Sequence, residues 1–292
     1  MAKEDSGLIR MNYRHIYHAG NFSDVFKHLL LLSLLQSLMR KEKPFSYIET
    51  HAGIGRYDLQ KEAAQKSKEF SGGILKLWKM SDQPMPDLVR TYIQQIQNFN
   101  RQNSATGLRY YPGSPHIARD LLRSGDRMIL CELHARDIIS LKNEFRADAQ
   151  VAVHHMDGYQ GLKAFLPPQP ARGLVFIDPS YEQSDEFNQV AQQLQEANRR
   201  WPMGIFAAWY PIKDRKGVDN FYKELQDSGM RDLIYCEFAL PFSVTSLTAC
   251  GMIVLRPPWQ WQQEVEKLLA WLSQALSAPA VGSWQFKCLV PE

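Results

Sequence analysis

The sequence predicts an α/β fold, a doubly wound and largely parallel sheet with helices on both faces. Seven short runs rich in β-branched and aromatic residues recur along the chain without strict alternation, so their strands should be buried on both sides. Most runs are followed by a stretch of helical periodicity, the βαβα order that a parallel sheet needs. The last two runs, residues 232–240 and 250–257, are joined only by PFSVTSLTA. That linker is too short for a crossover helix, so these two strands should be antiparallel neighbours.

In chain order, the first element is a helix running to Met39, with Ser23 or Asp24 as its cap. Its apolar run from Leu29 is interrupted by Ser33, Gln36 and Ser37. A membrane span needs about 20 apolar residues, so this is a core helix and no anchor. The strands follow at FSYIE (45–49), RMILCEL (127–133), VAVHHMD (151–157), GLVFIDP (173–179) and GIFAAWY (204–210), before the two already named. Helical periodicity covers 134–146, 159–166, 184–199, 214–228 and finally 260–276. A βαβ unit takes about 30 residues, yet strand one ends at Glu49 and strand two starts near Arg127. The surplus holds SGGILKLWKM and PDLVRTYIQQIQNFN, separated by DQPMP, and reads as a small helical insertion. The chain therefore divides into 1–56, an insertion at 57–111, and 112–292.

Hydrophobic residues make up 45% and charged residues 22%, which excludes a disordered chain. A net charge of +3 permits a nucleic-acid partner without requiring one. The start, MAKEDSGLIRMNYRH, lacks a signal-peptide core, and Met11 offers an alternative start. A cytoplasmic protein is expected. Cys131, Cys236, Cys250 and Cys288 are scattered without CxxC or histidine companions, so no metal site and no disulfide is expected.

The chemistry concentrates at strand ends. After strand one, THAGIGRYD places Gly53 and Gly55 where nucleotides bind in doubly wound folds, although Asp58 stands where a dinucleotide fingerprint has its third glycine. Glu132 ends strand two, where a carboxylate can accept both ribose hydroxyls. Asp157-Gly158 ends strand three, where the aspartate can bond an adenine amine. Together they specify an adenosine-containing cofactor. Strand four ends in Asp178-Pro179-Ser180-Tyr181. An exocyclic amine is a poor nucleophile because its lone pair is delocalised into the ring. The Asp178 carboxylate and the Pro179 carbonyl can hold its protons, and the Tyr181 ring can stack on the base.

The order of these motifs resembles the class I methyltransferases that use S-adenosylmethionine, and IDPSY resembles their (D/N/S)PP(Y/F) signature. Over most of the chain the resemblance is closer. The segments NYRHxxHAGNxxDVxKH, THAGxGRY, LRYYPGSPxIAR, DGxxxLK, AAWYP, CGMIVLRPPW and the terminal VPE are similar to the RlmJ family of 23S ribosomal RNA adenine-N6 methyltransferases. The resemblance implies a Rossmann-like fold with a seven-stranded mixed sheet, an antiparallel last strand and a helical insertion after strand one. It implies S-adenosylmethionine as cofactor, 23S ribosomal RNA as partner, and no metal. Cofactor contacts would fall on Lys27 or His28, His51, Gly53, Ser114, Glu132, Asp157, Gly158 and Asp178. Asp178 would also be the proton acceptor, and Tyr13 a contact to RNA with Arg14 near a phosphate. Ser180 departs from the family's second proline and loosens that turn, while the Pro179 carbonyl is retained.

Rival readings are the same chemistry on DNA, a nicotinamide oxidoreductase and a non-catalytic RNA-binding protein. The missing third glycine disfavours the oxidoreductase. The mild charge and absence of a DNA target-recognition domain favour RNA. A monomer suffices for everything in the sequence.

Overall fold

The computed structural model describes residues 13–243 and 247–292; the reading of the first twelve residues lies outside them. The elements are α1 (Phe22–Met39), β1 (Ser46–Glu49), β2 (Arg56–Asp58), α2 (Glu62–Ser67), α3 (Ile74–Lys79), α4 (Asp87–Gln102), β3 (Tyr110–Pro112) and α5 (Ser114–Arg119). There follow β4 (Arg127–Glu132), α6 (Asp137–Glu144), β5 (Val151–His155), α7 (Gly158–Phe165), β6 (Gly173–Ile177), α8 (Glu186–Arg200) and β7 (Ile205–Pro211). The chain closes with α9 (Arg215–Asp227), β8 (Leu233–Ala239), β9 (Ala249–Leu255), α10 (Trp261–Ala275) and β10 (Ser283–Val290).

The main sheet has the order β10-β8-β9-β7-β6-β1-β4-β5. The five strands from β7 to β5 run parallel. β9 returns antiparallel between β7 and β8, as its short linker to β8 requires. The sheet thus has eight strands where the sequence suggested seven, and two of them, β9 and β10, are antiparallel to the rest. The missed strand, SWQFKCLV, is a half-exposed edge antiparallel to β8. Its interleaved Gln285, Lys287 and Cys288 break the continuous apolar run that marks an interior strand.

Two apolar layers flank the sheet. One joins α1 to α4, α5 and α10; the other lies under α7, α8 and α9. Helix α1 is buried almost all round, from Phe22 to Leu35. Ser33 fits that environment because its hydroxyl accepts the indole N–H of Trp261, 2.8 Å away on α10. The cap of α1 is neither Ser23 nor Asp24. Asn21 takes that place, its side chain accepting the Asp24 N–H at 2.9 Å. Asp24 lies within the first turn, and its carboxylate is thereby free for the work described below. Between β2 and β3, which pair antiparallel, helices α3 and α4 join the apolar layer of α1 through Ile74, Val89, Tyr92, Ile93 and Ile96, and α2 packs on the turn at His15–Tyr17.

Candidate active site

The C-terminal ends of β1, β4, β5 and β6 converge on one edge of the sheet. After β1 the chain turns at Gly53 and Gly55, whose φ values of 64° and 78° favour glycine. Gly158, at the start of α7, packs so closely on this loop that a Cβ there would lie 2.1 Å from the Thr50 carbonyl oxygen. Glu132 is 7% exposed and pinned by the N–H groups of Gly53 (2.8 Å) and His134 (2.7 Å), one to each carboxylate oxygen. Burial raises its pKa, and the two amides partly offset that. Its remaining lone pairs are oriented before any ligand arrives. Asp157 is held as the N-cap of α7, its Oδ1 accepting from Tyr159 and Gln160. His51 Nδ1 meets the Thr50 hydroxyl at 2.7 Å, and burial lowers its pKa to about 4, so the ring is neutral.

The other half of the site is built on α1. Lys27 lies one turn after Asp24, so both side chains share a face. The Lys27 ammonium, 6% exposed, bonds Asp24 Oδ1 at 2.8 Å and Asp178 Oδ2 at 2.6 Å. Burial disfavours its charge, but the two carboxylates more than offset that and raise its pKa above the ordinary lysine value. Asp24 also accepts from the Gly20 N–H (2.8 Å) and meets His15 Nε2 at 3.0 Å. Burial would raise the Asp24 pKa; His15 and Lys27 hold it well below the usual range instead. His15 Nδ1 in turn lies 2.8 Å from the Tyr13 hydroxyl, and the Tyr13 ring stacks on His18. The Tyr13 phenol is held well above its ordinary pKa by burial and by the nearby charges of Asp178, Asp24, Glu69 and Glu182. The N-terminal motif is therefore linked to Asp178 through His15, Asp24 and Lys27. Arg14 is exposed beside it.

The matching family model, described as ribosomal RNA large subunit methyltransferase D, RlmJ, covers residues 42–290. The chain belongs to the RlmJ family. Ribosomal RNA large subunit methyltransferase J of Escherichia coli K12 is 41% identical to it, covering 97% of this chain and 100% of the relative. The Haemophilus influenzae protein of the same name is 39% identical over the same shares. A crystal structure of a Legionella pneumophila protein, 34% identical, superposes with a TM-score of 0.84 over 92% of this chain and 98% of its own.

In this RlmJ-family chain, adjacent positions on α1 diverge. Lys27 reaches Asp178, whereas His28, 1% exposed, shares a 2.7 Å hydrogen bond through Nδ1 with Tyr111, whose hydroxyl meets that of Tyr92. Burial lowers the His28 pKa to about 3. Tyr181 is not an open stacking surface. It is 8% exposed, packed on Phe187 and the edge of Trp209, and its hydroxyl donates to the Trp209 carbonyl at 2.9 Å. Its φ of 52° is unusual for a side chain of this size and marks strain at the turn after Asp178. Trp209 borders the charged centre, with the Lys27 ammonium 5.6 Å from its ring centroid.

Sequence reasoning passed over Glu49. It is wholly buried at the end of β1, bonded by the Tyr47 hydroxyl at 2.9 Å and by the Ser114 hydroxyl. Burial is the main cause pushing its pKa up to about 8; Asp178 adds to it, while Ser114, Tyr47 and Lys27 oppose it. A carboxylate closing the apolar run FSYIE was the available signal.

Proposed function

We propose that this chain transfers a methyl group from S-adenosylmethionine to the N6 amine of an adenine in 23S ribosomal RNA. The geometry of Asp178 carries the reading. Its Oδ2 is occupied by Lys27, which leaves Oδ1 to accept an N–H from the amine. The Pro179 carbonyl is the second acceptor, and drawing both protons aside frees the nitrogen lone pair. The same names borne by the Escherichia coli and Haemophilus influenzae relatives support the substrate.

The residues on the glycine edge suit an adenosine cofactor. Gly158 keeps a close approach that a Cβ would fill, and Glu132 is pinned with lone pairs to spare for ribose hydroxyls. When bound, S-adenosylmethionine supplies the electrophilic methyl. Gly53 and Gly158 would admit it, Asp157 would hold its base, and His51, Ser114 and His28 would serve its remaining polar groups. Lys27 is assigned to Asp178 in preference to the cofactor, because its ammonium already bonds two carboxylates. Tyr13 and Arg14 meet the RNA, and Tyr181 positions Trp209 as a wall of the base pocket. Residues 57–111 act as an insertion in a single methyltransferase domain formed by 1–56 and 112–292. The protein works as a cytoplasmic monomer without a metal.

The test is incubation with labelled S-adenosylmethionine and unmodified transcripts of 23S ribosomal RNA, 16S ribosomal RNA and duplex DNA. N6-methyladenosine in the 23S digest alone is expected. Label confined to DNA, or none anywhere from protein that binds the cofactor, contradicts the reading.

A further inference from the structure

The edge of the sheet opposite the active site has the opposite electrostatic character. At the C-terminal edge, Glu132, Asp157 and Asp178 gather with Glu182 nearby, and the phenol of Tyr13 feels four carboxylates at once. Carboxylates outnumber Lys27 and Arg14 there, so phosphates gain little from this surface. An RNA substrate therefore needs its electrostatic grip elsewhere.

At the N-terminal edge, three neighbouring strands begin beside cations. Ser46 of β1 pairs with Arg127 of β4 on one side and Gly173 of β6 on the other, and its N–H donates to the Arg172 carbonyl at 2.8 Å. The loop that enters β1, residues 40–44, is clamped by two arginines. Arg123 donates to the carbonyls of Lys41 (2.9 Å) and Lys43 (3.2 Å), and Arg172 donates to that same Lys43 carbonyl at 2.9 Å. Two guanidinium groups thus converge on one oxygen. Burial and the like charge of Arg123 lower the Arg172 pKa. The clamp fixes the backbone and leaves the Lys41 and Lys43 side chains exposed. Among the described residues, Lys41, Lys43, Arg127 and Arg172 make no ion pair; of the two carboxylates here, Asp126 is buried against Arg123 and the Phe45 N–H, and Glu42 is exposed between the two lysines, so the cations still outnumber the free carboxylate.

We propose that Lys41, Lys43, Arg127 and Arg172 form a second RNA-docking surface, which grips phosphates of the substrate on the edge remote from the reacting base. This rests on the reading of the chain as an RNA methyltransferase. A five-residue strand spans about 17 Å, so the RNA must extend well beyond the target nucleotide to reach both edges. Affinity comes from this cationic edge, while base selection belongs to the acidic one.

The test uses the double variant Lys41→Glu/Lys43→Glu, whose side chains hold nothing else in place. Binding of a long 23S ribosomal RNA fragment is measured from about 50 to 200 mM salt, beside a minimal stem-loop carrying only the target region. The slope of log affinity against log salt should become shallower by about 1.5–2 for the long RNA. Binding of the stem-loop, S-adenosylmethionine affinity and melting temperature should match the parent. If the parent methylates 23S RNA but the variant keeps the parental slope, this surface is overturned while the enzymatic reading stands. An equal loss on the stem-loop also overturns it, since a diffuse charge effect would then suffice. If phosphatidylserine vesicles bind the parent and not the variant, with the RNA slope unchanged, the surface belongs to a membrane and the inference fails. A parent that methylates no RNA removes both this inference and the proposed function.

Discussion

Replacing Glu49 with glutamine should flatten the dependence of stability on pH. Glu49 is wholly buried, and its two oxygens are engaged by Tyr47 and Ser114. Its pKa rises from an ordinary 4.5 to about 8, chiefly through burial. Between those values the folded chain holds a proton that the unfolded chain has lost. Stability is therefore fully present below about 4.5 and declines as pH rises through about 8. At about 1.4 kcal/mol per unit, the shift corresponds to roughly 4–5 kcal/mol across the window. Glu49→Gln keeps the size of the neutral acid and cannot ionise. Glu132 and Glu186 are also raised by burial, so the comparison must be variant against parent at each pH. Urea unfolding at intervals from pH 5 to 9 should show the parent losing several kcal/mol more than the variant. Parallel curves would mean that Glu49 is ionised throughout, and the reasoning about its burial would be wrong.

Lys27→Met should destabilise the fold by about 3–5 kcal/mol, because Asp24 and Asp178 would remain buried without their shared cation; urea unfolding that matches the parent at neutral pH would refute this. Glu132→Ala should weaken both S-adenosylmethionine and S-adenosylhomocysteine by about 1.5–3 kcal/mol, since the two share the ribose to which the proposal assigns this pinned carboxylate. Calorimetry giving parental affinity for both would remove Glu132 from the site. Tyr13→Ala should leave cofactor affinity intact and abolish RNA methylation, since the proposal assigns Tyr13, linked to Asp178 through His15, Asp24 and Lys27, to the RNA. A fall of several degrees in melting temperature with parental turnover would assign Tyr13 to packing against His18 instead.

The parallel core of the sheet was legible because β1, β4, β6 and β7 are continuous apolar runs, which only burial on both faces explains. The antiparallel return of β9 followed from chain length alone. β10 escaped because an edge strand needs only half its residues apolar. The strand-end carboxylates Glu132, Asp157 and Asp178 were legible from position. The lattice that joins Asp178 to α1 was not, since Lys27 and Asp178 are 151 residues apart. The cap of α1 was misplaced because Asn21, Ser23 and Asp24 all have capping side chains. Only the backbone, extended at Asn21 with ψ 178°, selects among them. Tyr181 illustrates the limit of motif reading: the sequence places an aromatic two residues beyond Pro179, but packing on Phe187 and the left-handed backbone decide which way it faces.

Single-turnover methyl transfer by Asp178→Asn, with S-adenosylmethionine affinity measured on the same preparation, is the most direct test of the proposed chemistry. The asparagine can retain a contact with Lys27 but lacks the charge that draws protons from the amine. The rate on unmodified 23S ribosomal RNA should fall by about 10²–10³, as on removing one preorganised transition-state contact, while cofactor affinity changes only a few-fold. A rate near that of the parent would show that Asp178 is not the acceptor.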